Sequence, residues 1–326
     1  MRRFRTGVVI GKFYPPHRGH HHLIETALRQ CERVSVLVCW KPAQQVPIAV
    51  RVECLREEHP PADIVPVEDH LADDDTLGWA ALTTQLLGGV PDAVFSSEDY
   101  GEPYARAMGS CHVMVDQQRD VVPCSGTLIR SNPLAHLHFL SPRMRAYYVK
   151  RFCVLGAEST GTTTMAIALA AHYRTSWVPE YGREYSEIKM TQDYSGVWHS
   201  DEFVNIAREQ ARREDAAART ANRVLICDTD PFATTLWHRR YTGRHSVEVE
   251  MIANVRHYAC YLLTGDEIPF VQDGLRDGED IRHAMHRQFV EELTVTGRKW
   301  TLLRGPHEDR LAQAVTLIDD ILQTSG

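Results

Sequence analysis

Apolar and polar positions follow the same pattern twice along the chain: a short apolar run, a glycine-bearing turn, and a segment with helical spacing. The first copy covers residues 6–10, 11–19 and about 20–30, and the second covers 151–155, 156–161 and about 162–173. Each copy is typical of the strand and helix that open a parallel sheet. Strand ends and helix N-termini of this kind are common phosphate-binding places.

Further apolar runs fit the same plan in both halves. They lie at 34–39 and 93–96 in the first half and at 224–227 and 258–263 in the second, with a helix-like stretch at 202–221. Prolines punctuate 132–145, and 326 residues exceed what one hydrophobic core usually organises. The pattern therefore predicts two tandem α/β domains, 1–145 and 146–326.

Composition excludes some classes of protein but does not indicate a reaction. The chain is 43% hydrophobic and 24% charged, as in ordinary globular proteins. A formal net charge of −7 argues against a nucleic-acid binder with a broad basic surface. Eight scattered cysteines without a C-x-x-C pair, no signal peptide and no apolar run of about 18 residues predict a cytoplasmic protein without a membrane partner.

The first glycine turn reads G-x-F-x-P-x-H-x-G-H and supplies six candidates: Gly11, Lys12, Phe13, His17, Gly19 and His20. Two imidazoles can donate to the α- and β-phosphates of ATP, and Lys12 can add a point charge. Gly11 lets the backbone approach the phosphate. Two histidines three residues apart are more often ordinary surface or core residues. The typed positions of this motif fall in order in a strand–turn–helix context, which favours the site.

A second motif lies near the end of the first half. It reads S-G-T-x-I-R from Ser125, through Gly126 and Thr127, to Arg130. By itself it is also a plausible helix cap, because a serine side chain can accept from free helix N–H groups. Its hydroxyls and Arg130 can also hold the phosphates that leave as pyrophosphate. Together, the two motifs predict nucleotidyl transfer with ATP.

The second glycine turn is a defective P-loop. A P-loop reads G-x-x-x-x-G-K-[ST], and here Gly156, Gly161 and Thr163 match while Thr162 replaces the lysine. Loss of one comparable transition-state donor costs on the order of 10²–10³ in rate. Asp228 ends an apolar run, where it and Thr163 can organise Mg²⁺. We therefore expect impaired phosphoryl transfer in the second half.

The two motifs of the first half resemble those of the nucleotidyltransferase superfamily. With Ser97-Glu98 and the segments 178–185, 228–230 and 273–276, the chain resembles the NadR family of bifunctional nicotinamide mononucleotide adenylyltransferases and ribosylnicotinamide kinases. The resemblance implies a Rossmann-like nucleotidyltransferase domain at 1–145 and a P-loop, ribosylnicotinamide-kinase-like α/β domain at 146–326. It also implies that ATP and nicotinamide mononucleotide give NAD and pyrophosphate by direct attack of the acceptor phosphate.

The resemblance assigns further residues to the first site. Ser97 and Glu98 would meet the adenosine, and Arg51 would contact the acceptor phosphate. Trp79 would stack on the cationic nicotinamide ring. A core residue on an amphipathic helix is an equally good interpretation of Trp79.

The resemblance also extends to the kinase-like half. The residues assigned there, besides the P-loop with Ser159, are Glu180, Tyr181, Arg183, Asp228, Asp230 and Arg276. Arg276, Arg282 and Arg287 could form a lid over the phosphates, but a solvated helix face is the preferred interpretation of Arg282 and Arg287.

Three alternatives stay open at the level of sequence. The apolar segment 46–51 allows a different phosphorylated acceptor or nucleotide. A lid arginine could replace the lysine, which would leave an active bifunctional enzyme that also uses nicotinamide riboside. The chain could instead sense NAD or ATP without turnover. ATP and Mg²⁺ are the expected cofactors, small molecules the expected partners, and a homo-oligomer is compatible with the sequence.

Overall fold

The computed structural model describes residues 2–192, 196–271 and 278–324. The chain divides into two compact units, Met1–Met144 and Arg145–Gly326. Each unit is built around a parallel five-stranded sheet. The predicted fold class, α/β with parallel sheets in tandem, is confirmed.

The first unit has the sheet order β3-β2-β1-β4-β5. Its strands are β1 (Phe4–Gly11), β2 (Cys31–Trp40), β3 (Asp63–Glu68), β4 (Ala93–Ser96) and β5 (Cys111–Met114). Its helices are α1 (Arg18–Gln30), α2 (Ile48–Glu58), α3 (Thr76–Leu87), α4 (Gly101–Met108) and α5 (Gly126–Ser131), and α6 (Pro142–Tyr148) runs across the boundary between the units. A short 3₁₀ helix covers Leu137–Phe139.

Strand β1 carries the core of the first unit because apolar side chains alternate between its two faces. Val9 packs with Ile24 of α1 on one face. Val8 and Ile10 pack with Tyr104 of α4 on the other. Strand β1 is hydrogen-bonded to both β2 and β4. The strand order therefore runs from β1 through β2 to one edge of the sheet, and through β4 to the other edge. The turn after β1 therefore lies at the sheet edge where α/β proteins bind ligands.

The second unit has the sheet order β10-β9-β6-β8-β7. Its strands are β6 (Lys150–Leu155), β7 (Trp177–Val178), β8 (Val224–Asp228), β9 (Cys260–Thr264) and β10 (Trp300–Leu303). Its helices are α7 (Thr162–Tyr173), α8 (Tyr181–Gln192), α9 (Ser200–Ala218), α10 (Pro231–Thr242), α11 (Val247–Asn254), α12 (Glu279–Val295) and α13 (His307–Gln323).

The second sheet is buried on both faces at its centre. Every residue of β8 and β9 is buried, as expected for parallel strands covered by helices. Strand β6 lies between them and leads directly into the second glycine turn. All eight cysteines are free, and Cys111 alone is exposed. Across the described ranges, no helix is long and apolar enough to cross a membrane.

Candidate active sites

The first unit contains a cavity of about 530 Å³ at the carboxyl end of β1. Residues from the turn after β1, the start of α3, the end of β4 and the loop before α5 line it. The residues predicted from sequence that line this cavity are Gly11, Lys12, Phe13, His17, Gly19, His20, Trp79, Ser97, Glu98, Ser125, Gly126, Thr127 and Arg130. The fold thus gathers both sequence motifs around one cavity.

The two histidines form a stacked pair, with ring centroids 3.7 Å apart. The ring of Phe13 supports His20 from 4.9 Å away, and Phe13 adopts a positive φ of 44°. A Cβ on Gly19 would lie 3.1 Å from Cε1 of His17. Glycine at that position therefore leaves room for the His17 ring, whose Nδ1 lies 3.3 Å from Sγ of Cys124.

Both imidazoles are held in the neutral form. Burial, with the positive charges of Arg119 and Arg130 adding to it, lowers the pKa of His17 to about 4. Burial and the neighbouring His17 ring lower the pKa of His20 well below its usual value. At neutral pH the pair can therefore act as hydrogen-bond donors to phosphate but carries no charge of its own.

The start of α5 is joined to the turn after β1. Ser125 caps the helix, its Oγ accepting from the N–H of Leu128 at 3.1 Å. Arg130 donates from Nη1 to the carbonyl of Tyr14 at 2.6 Å and lies over the Tyr14 ring at 4.9 Å. A Cβ on Gly126 would lie 2.8 Å from that same carbonyl oxygen. The two motifs therefore depend on each other for their positions.

Lys12 and Arg51 have different surroundings. The Lys12 ammonium is 2.9 Å from a carboxylate oxygen of Asp73, and its side chain is 47% exposed. Arg51 is fully buried and does not line the cavity. Its Nη1 donates to the carbonyls of Lys12 (2.7 Å) and Cys39 (3.3 Å), and its Nη2 donates to Gln44 (2.8 Å). The structure differs here from the expected acceptor contact: Arg51 braces the Lys12 backbone from beneath.

Trp79 belongs both to the packing of the first unit and to the cavity wall. It packs against the core cluster of the first unit and also lines the cavity. Its indole N–H donates to the carbonyl of Ala72 at 3.0 Å, which fixes the ring. Glu98, also in the cavity wall, pairs with Nη2 of Arg119 at 3.0 Å.

Sequence reasoning missed four charged residues of this cavity: Asp69, Asp73, Asp116 and Arg119. Asp116 accepts from the N–H groups of Val121 and Val122, both at 3.0 Å, and so shapes the loop before α5. Arg119 lies in that loop with a positive φ of 58°. Its closeness in sequence to the S-G-T motif was the one available signal.

The second unit contains a cavity of about 230 Å³ at the carboxyl end of β6. The residues predicted from sequence that line it are Gly156, Ser159, Gly161, Thr162, Thr163, Glu180 and Arg183. Gly161 has a positive φ of 83°, a conformation that favours glycine. Oγ1 of Thr163 donates to Oδ2 of Asp228 at 2.6 Å, which links the P-loop to the end of β8.

The charges around the second cavity are mainly negative. Burial and the neighbouring Asp228 raise the pKa of Glu180 to about 8. Burial also raises the pKa of Asp228. Among the described residues that line the cavity, Arg183 is the one lysine or arginine. Thr162 adds no charge where a P-loop lysine would stand.

Asp230 and Tyr181, both assigned to the second site, do not line its cavity. Asp230 is fully buried, caps α10 by accepting from the N–H of Ala233 at 3.0 Å, and accepts from the hydroxyl of Tyr261 at 2.8 Å. Tyr181 is outside the cavity wall, with the Arg213 guanidinium 4.3 Å above its ring. Arg276 lies outside the described residues.

The interpretation of Arg282 as part of a solvated helix face is wrong. Its side chain is 3% exposed, and its Nη1 donates to the carbonyl of Ile268 at 2.8 Å. Its guanidinium also lies 5.5 Å from the ring of Phe270. Packing of α12 against the segment after β9 buries it. Arg287, five residues later on the same helix, is exposed.

An aromatic wall of the second cavity was also missed. It consists of Trp198, Phe203, Trp237 and Tyr241. The rings of Trp198 and Tyr241 are 5.5 Å apart, and those of Trp198 and Phe203 are 5.1 Å apart. These residues come from α9, α10 and the residues before α9, so no spacing in the sequence could have grouped them.

Two parallel sheets, each followed at its central strand by a glycine-bearing turn and a cavity, define a tandem α/β nucleotide-binding protein. Residues 151–310 match the family model described as an AAA domain. The whole chain is 26% identical to the "Trifunctional NAD biosynthesis/regulator protein NadR" of Salmonella typhimurium, covering 85% of that protein. The chain is homologous to the NadR proteins along its full length.

Solved structures agree with this fold. A NadR protein in complex with NR superposes with a TM-score of 0.76 at 20% identity, covering 98% of this chain and 96% of the other. A NadR protein in complex with NAD and AMP-PNP gives a TM-score of 0.74 at 20% identity, with the same coverage of both chains.

Proposed function

We propose that the first unit is an adenylyltransferase that joins ATP and nicotinamide mononucleotide to give NAD and pyrophosphate. The observation that carries this proposal is the shared cavity of the stacked His17–His20 pair and the α5 motif with Arg130. Homology to a protein named for NAD biosynthesis supports the choice of acceptor.

The reaction needs positioned donors rather than a covalent intermediate. A phosphate oxygen of the mononucleotide attacks the α-phosphorus, the bond from that phosphorus to the bridging oxygen breaks, and pyrophosphate leaves. The neutral His17 and His20 rings would donate to α- and β-phosphate oxygens as charge builds on them. Arg119 and Arg130, which line the same cavity, would neutralise the leaving pyrophosphate.

Lys12 and Trp79 would serve the acceptor side. Lys12 is exposed enough to exchange Asp73 for a phosphate. The indole of Trp79 is fixed by its bond to Ala72 and could stack on a cationic pyridinium ring. Arg51 would act indirectly by bracing the Lys12 backbone.

For the second unit we propose binding of a nucleotide or of nicotinamide riboside with impaired phosphoryl transfer. The missing lysine leaves Arg183 to face several carboxylates. Mg²⁺ would fit Thr163 and Asp228, since Oδ1 of the buried Asp228 has no hydrogen-bond partner among the described residues and oxygen ligands suit the ion. When bound, the ion would neutralise phosphate charge.

The main proposal is tested by measuring pyrophosphate release from ATP in the presence of Mg²⁺. The acceptors are nicotinamide mononucleotide and a panel of other phosphorylated compounds. We expect the wild type to release pyrophosphate and form NAD. His20→Ala should lower kcat by about 10²–10³, because one donor to the developing charge is lost. The matched control is His22→Ala, which removes a histidine of the same helix that does not line the cavity.

Two results would contradict this function. Release with another mononucleotide only would reassign the acceptor. No release with any acceptor, together with tight ATP binding, would favour a sensor. We further infer a cytoplasmic location and small-molecule partners from the free cysteines and the two cavities.

A further inference from the structure

Asp69 is a cavity residue with a carboxylate oxygen that accepts no hydrogen bond from the described residues. It follows β3, and its N–H donates to the carbonyl of Trp40 at 2.8 Å, which continues the ladder between the two strands. It lines the first cavity together with Asp73, Thr76 and Trp79. The strand end therefore fixes its backbone beside the residues proposed for the acceptor.

The two carboxylate oxygens of Asp69 differ. Oδ2 lies 3.4 Å from the ammonium of Lys41, and the Asp69 side chain is only 2% exposed. Oδ1 is buried and has no hydrogen-bond partner among the described residues. An unpaired buried acceptor costs about 1–3 kcal/mol, and more when it is charged. Such an atom in a cavity wall is suited to a ligand that brings an N–H group and positive charge.

We propose that Asp69 determines specificity for the acceptor by accepting a hydrogen bond from a ring carboxamide and by disfavouring a ring carboxylate. This inference rests on the proposed adenylyl transfer. Nicotinamide mononucleotide presents a cationic ring with an NH₂ donor, which suits a carboxylate oxygen. Nicotinate mononucleotide presents a second carboxylate instead, and two carboxylates in a partly buried site repel each other.

The neighbouring side chains strengthen this assignment. In the free protein Asp73 pairs with Lys12 at 2.9 Å, and its side chain is 70% exposed, whereas that of Asp69 is 2% exposed. Trp79 supplies a π-face in the same wall for a cationic ring. Asp69 is thus a buried carboxylate of the same cavity wall as Trp79, and its Oδ1 has no hydrogen-bond partner among the described residues.

The test is the ratio of kcat/KM for nicotinamide mononucleotide to kcat/KM for nicotinate mononucleotide, at saturating ATP. Asp69→Asn should lower this ratio at least tenfold, and activity with the nicotinate form should rise in absolute terms. An asparagine NH₂ can donate to a carboxylate, which an aspartate cannot. KM for ATP should stay within twofold. Asp74→Asn, in the same loop but outside the cavity wall, is the matched control.

A second variant separates specificity from structure. Lys41→Gln removes the ion pair but keeps Asp69, so it should preserve the preference for the nicotinamide form. The assignment would be overturned if Asp69→Asn lowered kcat/KM equally for both mononucleotides and Lys41→Gln did the same. A raised KM for ATP with an unchanged ratio would overturn it too, because Asp69 would then serve the nucleotide. A wild type inactive with both acceptors would instead contradict the proposed function itself.

Discussion

At the scale of single residues, burial decides the chemistry of the first site. His17 is a polar residue at 5% exposure, surrounded by Arg119, Arg130 and a second imidazole. Water can no longer stabilise its cation, so the neutral ring dominates. In the proposed reaction, a neutral ring would donate to phosphate, and it avoids the cost of a buried charge in the free protein.

The protonation state of His17 can be measured. Because its pKa is lowered to about 4, the His17 ring in the free protein should show a constant ¹⁵N chemical shift from pH 8 to pH 5 in an NMR titration. The signal is assigned by comparison with His17→Gln. In the urea-unfolded chain the same ring should titrate near 6.5. Because the folded-state value is the lower one, the stabilising contribution is complete above pH 6.5 and is lost as the pH falls towards 4. A midpoint at or above 6.5 in the folded chain would contradict this.

At the scale of elements, the contact between the start of α5 and the turn after β1 builds the site. Neither segment is long, and each supplies groups that the other orients. Gly126 makes the approach possible, and Arg130 bonds across it. A backbone contact this close allows no side chain at position 126.

Gly126→Ala should therefore impair adenylyl transfer. The added Cβ would meet the Tyr14 carbonyl at 2.8 Å and Nη1 of Arg130 at 3.0 Å, so α5 must shift. A misplacement of about 1 Å can cost about 10² in rate, and we expect a loss of ten- to a hundredfold in kcat/KM. Gly89→Ala is the control, since its Cβ would meet nothing within 4 Å. Equal activity of the two variants would show that the contact is not needed.

At the scale of the whole molecule, two similar sheets carry cavities that differ in their number of basic side chains. The first cavity includes three basic side chains, Lys12, Arg119 and Arg130, around its histidines. The second has Arg183 as its basic residue among the described lining and lacks the P-loop lysine. The transferase reaction therefore belongs to the first unit in our proposal, and the second unit would mainly bind.

Restoring the lysine tests this division of roles. Thr162→Lys should raise phosphorylation of nicotinamide riboside by about 10²–10³, the amount that one transition-state donor is worth. Adenylyl transfer should not change, because the substitution is in the other unit. Thr162→Gln, long but neutral, should give no increase. Rapid phosphorylation by the wild type, measured with radiolabelled ATP, would show instead that the native site compensates for the lysine.

Local pattern sufficed to predict the two openings of the sheets and the glycine turns that line the two cavities. Strand, glycine turn and helix follow one another in the chain, so their order and residue types are visible in the sequence. Helix α1 begins at Arg18, two residues before the predicted start at about His20, and α9 covers Ser200–Ala218 where the pattern predicts 202–221. These are shifts at element ends, where local signals are weakest.

Asp230 carries a local signal for a helix cap. An aspartate directly before a proline at a helix start is a capping pattern. The structure uses Asp230 for that cap and for the Tyr261 hydroxyl.

By itself, the sequence determined the fold class, the two glycine turns and the replacement of the P-loop lysine by Thr162. Tertiary structure alone decided the burial of Arg51 and Arg282, the free acceptor of Asp69 and the aromatic wall around Trp198. The physical reason is the separation along the chain over which each kind of interaction acts. Backbone pattern and turn chemistry act between near neighbours in the chain, whereas burial, charge compensation and cavity walls arise from side chains that only folding brings together.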